Sequence, residues 1–395
     1  MTKPLLWHAA ALLALGAAPA ALAAQRDTTA AAPRADSARL AAADSAARPP
    51  LRLCAGGDVT LGTNLGGWNG GRLAEPDSLL APLRPLFAAA DVALVNVEGA
   101  IGEGPAPSKC GPNSTACFAF RMPLAAAAAF ARLGGDSSVV VGNLANNHAG
   151  DAGAAGLRAT ARHLRDAGVA VTGTDTLATV VVTPRGDTLA VLGFSTSAGP
   201  DPRDLPAVRR HVARAAERHA VVVVTMHMGA EGRAAQRTLD RRELFLGSLD
   251  RGNPVAFARA AIEAGADLVV GHGPHVLRAL EWHRERLAVY SLGNLVNYGP
   301  FSLAEPMNRG AVLCVALDAE GTPLDGRLYP TQQTARGRVR LDPAARAVVL
   351  VDSLSTLDFG QSAARLDADG TLRLPARLAE RPAEQRPKTP ATAPR

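Results

Sequence analysis

The sequence contains the stretch Ala266-Asp267-Leu268-Val269-Val270-Gly271-His272-Gly273-Pro274-His275. Its apolar, partly β-branched residues are typical of a buried strand, and the glycine that follows indicates that the strand ends there. Two histidines then lie in a short loop that contains glycine and proline. Neutral imidazole is the commonest metal ligand, so the stretch predicts a strand followed by two potential ligands. Two surface histidines would give the same pattern, and the stretch alone leaves both interpretations open.

The same arrangement recurs upstream, where apolar runs are followed by polar residues. These residues are Asp58, Asn96, Glu98, Asn147, His148 and His227. As far as Gly265, predicted strands alternate with segments whose apolar residues have helical spacing. This order predicts a largely parallel α/β core followed by an antiparallel portion. Because ligands bind at the carboxyl ends of the strands in such sheets, we expect these residues to converge with His272 and His275 at one edge.

The remaining patterns predict further elements along the chain. We expect helices over residues 78–90, 123–133, 204–219 and 254–264, and another that begins near Asp151, for which Asp151 supplies at least the N-cap. We expect strands over residues 51–58, 92–98, 138–143, 220–225, 288–294, 311–317, 326–329, 339–341 and 348–351, and hairpin strands over 169–194. The charged segment 232–253 is expected to be a mobile insertion that overhangs the site.

Composition indicates one large folded domain with flexible ends, since 47% of the 395 residues are hydrophobic and 20% are charged. Residues 1–24 have the pattern of a secretory signal peptide, with an apolar segment too short to be a comfortable membrane span. Residues 25–50 lack large apolar side chains and predict a disordered linker, residues 51–360 the folded domain, and residues 375–395 a disordered tail. We therefore expect an exported protein, in the periplasm, the cell envelope or the extracellular space.

The four cysteines are interpreted in that oxidising context. Cys110 and Cys117 bracket a turn-rich loop that a disulfide could close, which would stabilise the fold by about 2–3 kcal/mol. Cys54 and Cys314 lie in apolar runs, where buried free thiols are expected. The sequence has no CxxC pair, which argues against a zinc site made of cysteines.

The formal charge is +6, and nearly all basic residues are arginines scattered along the chain. Aromatic residues make up only 4% of the sequence, so the stacking platforms of single-strand nucleic-acid binders are missing. We expect no nucleic-acid partner. The basic surface is expected to attract anionic polymers mildly.

Six motifs, in this order, resemble those of the CapA family, whose members act in poly-γ-glutamate capsule synthesis and whose fold is similar to that of calcineurin-like metallophosphatases. They are Gly57-Asp58-Val59-Thr60-Leu61-Gly62, Asn96-Val97-Glu98, Leu144-Ala145-Asn146-Asn147-His148-Ala149-Gly150-Asp151-Ala152-Gly153, His227-Met228-Gly229-Ala230-Glu231, the stretch 265–275, and Tyr290-Ser291-Leu292-Gly293-Asn294. The resemblance covers residues 51–317. It implies an α/β fold, specifically a four-layer α/β/β/α sandwich with mixed sheets.

The resemblance also implies roles for individual residues. The implied metal ligands are Asp58, Glu98, Asn147, His227, His272 and His275. His148 would be the catalytic proton donor. Residues implied to orient the ligands or to contact substrate are Asn96, Asn146, Asp151, Glu231 and Asn294.

Mixed Asp, Glu, Asn and His ligands favour a divalent transition metal, Mn, Fe or Zn, over Ca or Mg. A carboxylate such as Glu98 that bridges two ions would allow a two-metal site. Thr60 stands where metallophosphatases carry the histidine of an Asp-x-His motif, and Gly273 stands where CapA relatives often carry a histidine. The sequence therefore leaves open whether one or two ions bind.

Three functions follow as alternatives. The first is an exported CapA-like protein that supports synthesis or export of an anionic polymer through a metal site, with membrane-associated capsule synthesis proteins as partners. The second is a metal-dependent phosphomonoesterase or phosphodiesterase acting on a phosphate-containing substrate. The third is a non-catalytic polymer-binding protein with a degenerate site.

Overall fold

A computed structural model describes residues 49–65, 75–111, 117–299 and 301–379. The predicted signal peptide, nearly all of the predicted linker and the predicted tail from residue 380 onward lie outside the described residues. Among the described residues, no helix combines the length and apolar character that crossing a membrane requires.

Strands and helices are numbered here in chain order. The strands are β1 (Leu51–Leu61), β2 (Val92–Val97), β3 (Ala100–Ile101), β4 (Arg121–Met122), β5 (Val139–Asn143), β6 (Ala170–Thr172), β7 (Thr179–Val182), β8 (Thr188–Ser195), β9 (Val222–His227), β10 (Leu244–Phe245), β11 (Leu249–Asp250), β12 (Leu268–His272), β13 (Leu280–His283), β14 (Arg286–Val289), β15 (Asn294–Tyr298), β16 (Arg309–Leu317), β17 (Pro323–Ala335) and β18 (Arg338–Leu341). The helices are α1 (Pro76–Leu80), α2 (Arg84–Phe87), α3 (Ala125–Ala131), α4 (Gly153–Asp166), α5 (Leu205–Ala216), α6 (Pro254–Glu263), α7 (Arg346–Phe359) and α8 (Ala376–Ala379), with short 3₁₀ turns at Ala81–Leu83, Arg233–Ala235 and Gly360–Ser362.

Two mixed sheets carry the fold. The larger has the order β18-β17-β16-β1-β2-β5-β6, with β15 also paired to β1, and the smaller has the order β13-β14-β12-β9-β8-β7. The central strands of both sheets are parallel, while β16 to β18, β7 and β13 pair in antiparallel fashion. The predicted parallel core and later antiparallel portion are therefore confirmed.

Three apolar clusters separate four layers. The strands alternate inward and outward side chains, so that Leu53 and Leu94 of the larger sheet share one cluster with Val223 and Leu268 of the smaller sheet. The outer face of the larger sheet packs on α1 to α4, and the outer face of the smaller sheet packs on α5 and α6. The predicted α/β/β/α sandwich is confirmed by this packing.

Two predicted strands are wrong. Residues 348–351 lie inside α7, where the buried positions Ala347, Val348, Val351 and Leu354 follow helical spacing. A short apolar run does not by itself distinguish a strand from a buried helix. The predicted strand 288–294 is two strands, because the chain leaves the smaller sheet after β14, turns at Gly293 with a φ of 65°, and enters the larger sheet as β15.

Both pairs of cysteines form disulfides. Cys54 of β1 faces Cys314 of β16 in the antiparallel register, and their sulfur atoms are bonded, so the prediction of two free thiols is wrong. The partners are 260 residues apart, and only the sheet topology brings them together. Cys110 and Cys117 are also bonded, as the turn-rich loop between them suggested.

The folded part extends past the predicted boundary at residue 360. Ala364, Leu366 and Leu372 are buried in the cluster between the sheets. The helix α8 then begins at Ala376, inside the region predicted as a disordered tail, and its Leu378 is buried.

Gly57 allows the backbone of β1 to approach the backbone at Gly293 closely, and this approach positions Asp58. A Cβ atom at residue 57 would lie 2.0 Å from the carbonyl oxygen of Gly293, while the Asp58 N–H donates to that same oxygen at 2.9 Å. Because backbone rather than a flexible side chain would have to move, we expect Gly57→Ala to lower the free energy of unfolding by about 3 kcal/mol. Urea denaturation measures this change. Gly150→Ala, which meets no atom within 4 Å, is the control, and equal stability of the two variants would contradict the prediction.

Candidate metal centre

The predicted ligands come from both sheets and meet where the parallel strands end. Asp58 lies in β1 where its pairing with β2 and β15 shifts register, and Glu98 directly follows β2. His227 and His272 are the last residues of β9 and β12 and stand side by side in that sheet. His275 follows in the loop after β12, with a left-handed φ of 58° that is uncommon for a residue with a side chain.

Five of the six predicted ligands lie close together, and all five are buried. The Nδ1 atom of His275 is 3.2 Å from Asp58 Oδ2, and its Nε2 atom is 3.7 Å from Glu98 Oε1. The Nε2 atom of His227 is also 3.7 Å from Glu98 Oε1, and His272 Nδ1 is 3.8 Å from Asp58 Oδ1. One ligand atom from each of Asp58, Glu98 and His275 lies within 4.8 Å of the other two.

Several of these ligand atoms have no hydrogen-bond partner among the described residues. They are both carboxylate oxygens of Glu98, Nε2 of His227 and both ring nitrogens of His272. Leaving a buried polar atom unsatisfied typically costs about 1–3 kcal/mol, so a cluster of such atoms calls for an explanation. A divalent cation would satisfy them, and the mixed oxygen and nitrogen donors fit a transition metal.

Charge is distributed unevenly over the centre. Burial and the neighbouring Asp58 raise the pKa of Glu98 well above its usual value. Burial would also raise the pKa of Asp58, but the hydrogen bond and charge of His275 hold it below its usual value. Burial lowers the pKa of His272 to about 4. Burial alone would lower the pKa of His275 as well, yet the Glu98 and Asp58 carboxylates raise it to about 10.

A network of side-chain amides orients two of the ligands. Asn96 donates from Nδ2 to Asp58 Oδ1 at 2.8 Å, and the same atom lies 3.2 Å from His227 Nδ1. The side-chain oxygen Oδ1 of Asn96 accepts hydrogen bonds from the side-chain amides of Asn143 at 3.0 Å and Asn146 at 3.1 Å. Asn143 was not predicted as a site residue, although it ends β5 just as other polar residues end the neighbouring strands.

A buried arginine also contacts the centre. Arg251 is 4% exposed, and its guanidinium lies 2.9 Å from Glu231 Oε1, while Glu231 Oε2 lies 3.9 Å from His275 Nε2. Asn294 holds the other side of the same imidazole, with Oδ1 at 3.0 Å from His275 Nδ1. Arg251 was not predicted because its pairing with Glu231 depends on a turn of the chain that carries no local sequence signal.

The segment 232–253, predicted as a mobile insertion, is attached at three points. Arg251 pairs with Glu231, and Arg237 pairs with Asp358 of α7. The buried Arg278, which follows β12 in the chain, donates two hydrogen bonds to the carboxylate of Glu243, at 2.9 and 2.8 Å. These ion pairs hold the segment beside the centre.

His148 and Asp151 form a hydrogen-bonded pair. His148 Nδ1 lies 2.7 Å from Asp151 Oδ2, and Lys109 Nζ lies 2.6 Å from Asp151 Oδ1 and 3.1 Å from His148 Nδ1. Burial lowers the pKa of His148, although the hydrogen bond that its imidazole donates to Asp151 acts in the opposite direction. Lys109 was not predicted; it precedes Cys110 of the disulfide-closed loop.

The predicted capping role of Asp151 is wrong. The helix α4 begins at Gly153, with Ala152 at the N-cap position and no side-chain capping bond. Asp151 instead accepts the backbone N–H of Phe120 at 2.6 Å and binds Lys109 and His148. These contacts hold the Asp151 carboxylate in place, and the carboxylate in turn orients the imidazole of His148.

Aromatic contacts place the His148 pair beside the centre. The ring of Phe120 lies 4.5 Å from that of His148 and 5.3 Å from that of Phe301, which in turn lies 5.7 Å from His275. The side-chain oxygen of Asn147 is buried and has no partner among the described residues, as a ligand oxygen requires. Its role as a metal ligand stays a prediction.

Comparison with known proteins agrees with the motifs. Residues 52–298 match the model of the family described as bacterial capsule synthesis protein PGA_cap. The chain is 29% identical over 186 residues to the capsule biosynthesis protein CapA of Bacillus anthracis, a match that covers 41% of each chain. It is 32% identical over 178 residues to the PGA biosynthesis protein CapA of Bacillus subtilis (strain 168), which covers 41% of this chain and 43% of the relative.

The chain therefore matches only about two fifths of the length of these curated relatives. A solved structure, TT1561 of Thermus thermophilus, superposes with a TM-score of 0.36 at 12% identity and covers 73% of this chain and 100% of its own. The family match extends over more than half of the sequence and includes every residue predicted for the site. The chain belongs to the bacterial capsule synthesis protein family PGA_cap.

Proposed function

We propose that this protein acts in the synthesis or export of an anionic capsule polymer of the poly-γ-glutamate type, through a site that binds one or two divalent transition-metal ions. The observation that carries the proposal is the convergence of Asp58, Glu98, His227, His272 and His275, with buried donor atoms that lack partners among the described residues. The names of the two Bacillus relatives support a capsule polymer as the substrate. Export, predicted from residues 1–24, and membrane-associated capsule synthesis proteins as partners belong to the same proposal.

The arrangement suggests how the ligands would be shared. Glu98 Oε1 lies 3.7 Å from Nε2 of both His227 and His275, so Glu98 would hold a bound ion together with these histidines, whereas Asp58 lies between His272 and His275 and would hold one with them. A bound Mn, Fe or Zn ion would act as a Lewis acid that polarises a phosphoryl oxygen and lowers the pKa of a water molecule. The buried Arg251 adds a fixed positive charge beside these groups.

A second candidate function is a metal-dependent phosphoesterase, and the His148–Asp151 pair favours it. Asp151 contacts Nδ1 of the imidazole, which leaves Nε2 as the nitrogen available to a substrate. In the hydrolysis, the oxygen of water forms the new bond to phosphorus and the ester P–O bond breaks. The departing oxygen takes a proton from His148 and leaves as the alcohol, and the attacking water gives up a proton that returns to the imidazole.

Metal content and turnover of the purified full-length chain test both functions. We expect one or two transition-metal ions per chain by elemental analysis, and their loss on His272→Ala, because this variant removes a buried ligand whose two nitrogens have no partner among the described residues. His219→Ala, remote from the centre, should keep the metal. Aryl phosphate hydrolysis that requires added Mn would support the second candidate.

Two results would contradict the proposal. A chain without metal, or with equal metal in His272→Ala, would rule out the metal site. Binding of poly-γ-glutamate that is unchanged after chelation would instead favour the non-catalytic alternative.

A further inference from the structure

The ion pair between Arg251 and Glu231 is close, but it does not form a hydrogen bond. The Nη2 atom of Arg251 lies 2.9 Å from Oε1 of Glu231, yet neither atom has a hydrogen-bond partner among the described residues. The side chain of Arg251 is 5% exposed and that of Glu231 is 13% exposed. Because a buried charge pair offsets its desolvation only when hydrogen bonds satisfy it, we expect a purely structural pair to be better aligned.

Other contacts hold Arg251 in place without Glu231. Its backbone N–H donates to the carbonyl oxygen of Glu243 at 2.9 Å, and its own carbonyl oxygen accepts from the Gly229 N–H at 2.9 Å. The Nε atom of its side chain donates to the carbonyl oxygen of Gly229 at 3.1 Å. Loss of the Glu231 contact would therefore leave the guanidinium in position, with Nη2 available as a donor.

Gly273 allows Arg251 and His227 to lie near one point. A Cβ atom at residue 273 would be 3.3 Å from Nη2 of Arg251 and 3.0 Å from Nε2 of His227, so a side chain here would crowd both groups. The φ of Gly273 is 105°, a conformation that favours glycine. Nε2 of His227 is one of the predicted ligand atoms that lack a partner among the described residues. A group bound to Nη2 would thus lie beside the candidate metal centre.

We propose that Arg251 binds a carboxylate of the capsule polymer beside the metal centre, and that Glu231 occupies this carboxylate subsite in the absence of polymer. The inference rests on the proposed function and names the group of the polymer that the site recognises. Glu231 is itself a carboxylate, so its position shows that such a group fits against the guanidinium. Guanidinium binds carboxylate best through aligned N–H···O bonds, which a polymer carboxylate would make with Nη2 and Glu231 does not.

Binding of the polymer requires Glu231 to turn away, because two carboxylates at one guanidinium repel each other. Oε2 of Glu231 already lies 3.9 Å from Nε2 of His275, so a rotation toward this imidazole would keep the carboxylate beside a polar group. Glu231 is the more exposed member of the pair, as expected for a group that a polymer displaces from the solvent side. Glu231 therefore acts as an internal competitor for Arg251.

Substitutions of the two residues should have opposite effects on binding of a γ-linked glutamate trimer, measured by titration calorimetry on the full-length chain. We expect Glu231→Gln to bind the trimer about tenfold more tightly, because the competing carboxylate is gone. We expect Arg251→Gln to bind it at least about tenfold more weakly. Arg251→Lys keeps the charge without the planar fork and should also bind more weakly, which covers the case in which Arg251→Gln does not fold.

The opposite signs separate this proposal from a structural ion pair, which either substitution would break with the same result. Glu217→Gln and Arg241→Gln change the same charges at exposed positions and should bind the trimer like the parent chain. Weaker binding in both Glu231→Gln and Arg251→Gln, or no change in either, would overturn the subsite. Inorganic phosphate that binds through Arg251 when the trimer does not bind would overturn the assignment to a carboxylate.

Repeating the titrations after chelation, with the metal content measured, keeps the subsite separate from the metal site. We expect the same opposite shifts with and without metal, because neither Arg251 nor Glu231 is a predicted ligand. Opposite shifts in a chain that never binds metal would contradict the proposed metal site and support the subsite. A chain that binds metal but shows no opposite shifts would overturn the subsite alone.

Discussion

Replacing Glu98 by glutamine is expected to weaken metal binding at least about 100-fold while leaving the metal-free fold as stable as that of the parent chain. Both oxygens of the Glu98 carboxylate are buried and accept no hydrogen bond among the described residues. The carboxylate therefore gains little from the protein alone. Its neighbours His227 and His275 stand 3.7 Å from one oxygen, a separation that a shared cation would fill.

Stability separates this explanation from a structural one. Burial and Asp58 raise the pKa of Glu98, so the metal-free fold disfavours the charged form, and an amide of the same shape removes that cost. We expect the free energy of unfolding without metal to stay equal or to rise by up to about 2 kcal/mol. A structural carboxylate would give the opposite sign, because its partners would be left without a counter-charge.

Glu281→Gln is the matched control. Glu281 is also buried, but it accepts hydrogen bonds from Arg259 at 2.7 Å and from Tyr290 at 2.6 Å. We expect this variant to lower the free energy of unfolding by about 3 kcal/mol and to keep its metal. Elemental analysis and chelator-treated urea denaturation of both variants measure the two quantities. Glu98→Gln protein that retains metal, or that is less stable than the parent without metal, would contradict the assignment.

The sequence could predict the parallel core because its signal is local. Apolar runs such as 220–225 and 266–271 are removed from water only when both faces of the strand are buried. The two strands that they form end at His227 and His272. The strands of such a sheet point the same way, so residues that end them must meet at one edge. The convergence of five of the predicted ligands could therefore be predicted without knowing the structure of the loops between them.

The features that sequence patterns do not predict depend on contacts between distant segments. Cys54 and Cys314 pair because β1 lies beside β16, and the buried Arg251 pairs with Glu231, which is 20 residues away in the chain. Lys109 contacts Asp151, and the chain passes from the smaller sheet to the larger one between β14 and β15. Neither feature produces a periodic pattern of apolar residues from which it could be predicted. A carboxylate before a helix often caps that helix, but tertiary contacts give Asp151 another role.

His148→Asn is expected to reduce the turnover of phosphate esters by about 10²- to 10⁴-fold without loss of metal. The residue belongs to the hydrogen-bonded pair with Asp151 and is not one of the three residues, Asp58, Glu98 and His275, whose ligand atoms lie within 4.8 Å of one another. Metal content should therefore equal that of the parent chain, which distinguishes this variant from His272→Ala. His219→Asn is the control for loss of an imidazole elsewhere.

The size of the loss should depend on the leaving group. If His148 gives its proton to the departing oxygen, an alkyl alkoxide needs that proton and a nitrophenolate does not. We expect the full loss with alkyl phosphates and a loss of about tenfold or less with p-nitrophenyl phosphate. Equal losses for both substrates would mean that His148 positions the phosphate, and unchanged turnover for both would remove it from the reaction. The metal content of each preparation, measured alongside, keeps these outcomes separate from a damaged metal centre.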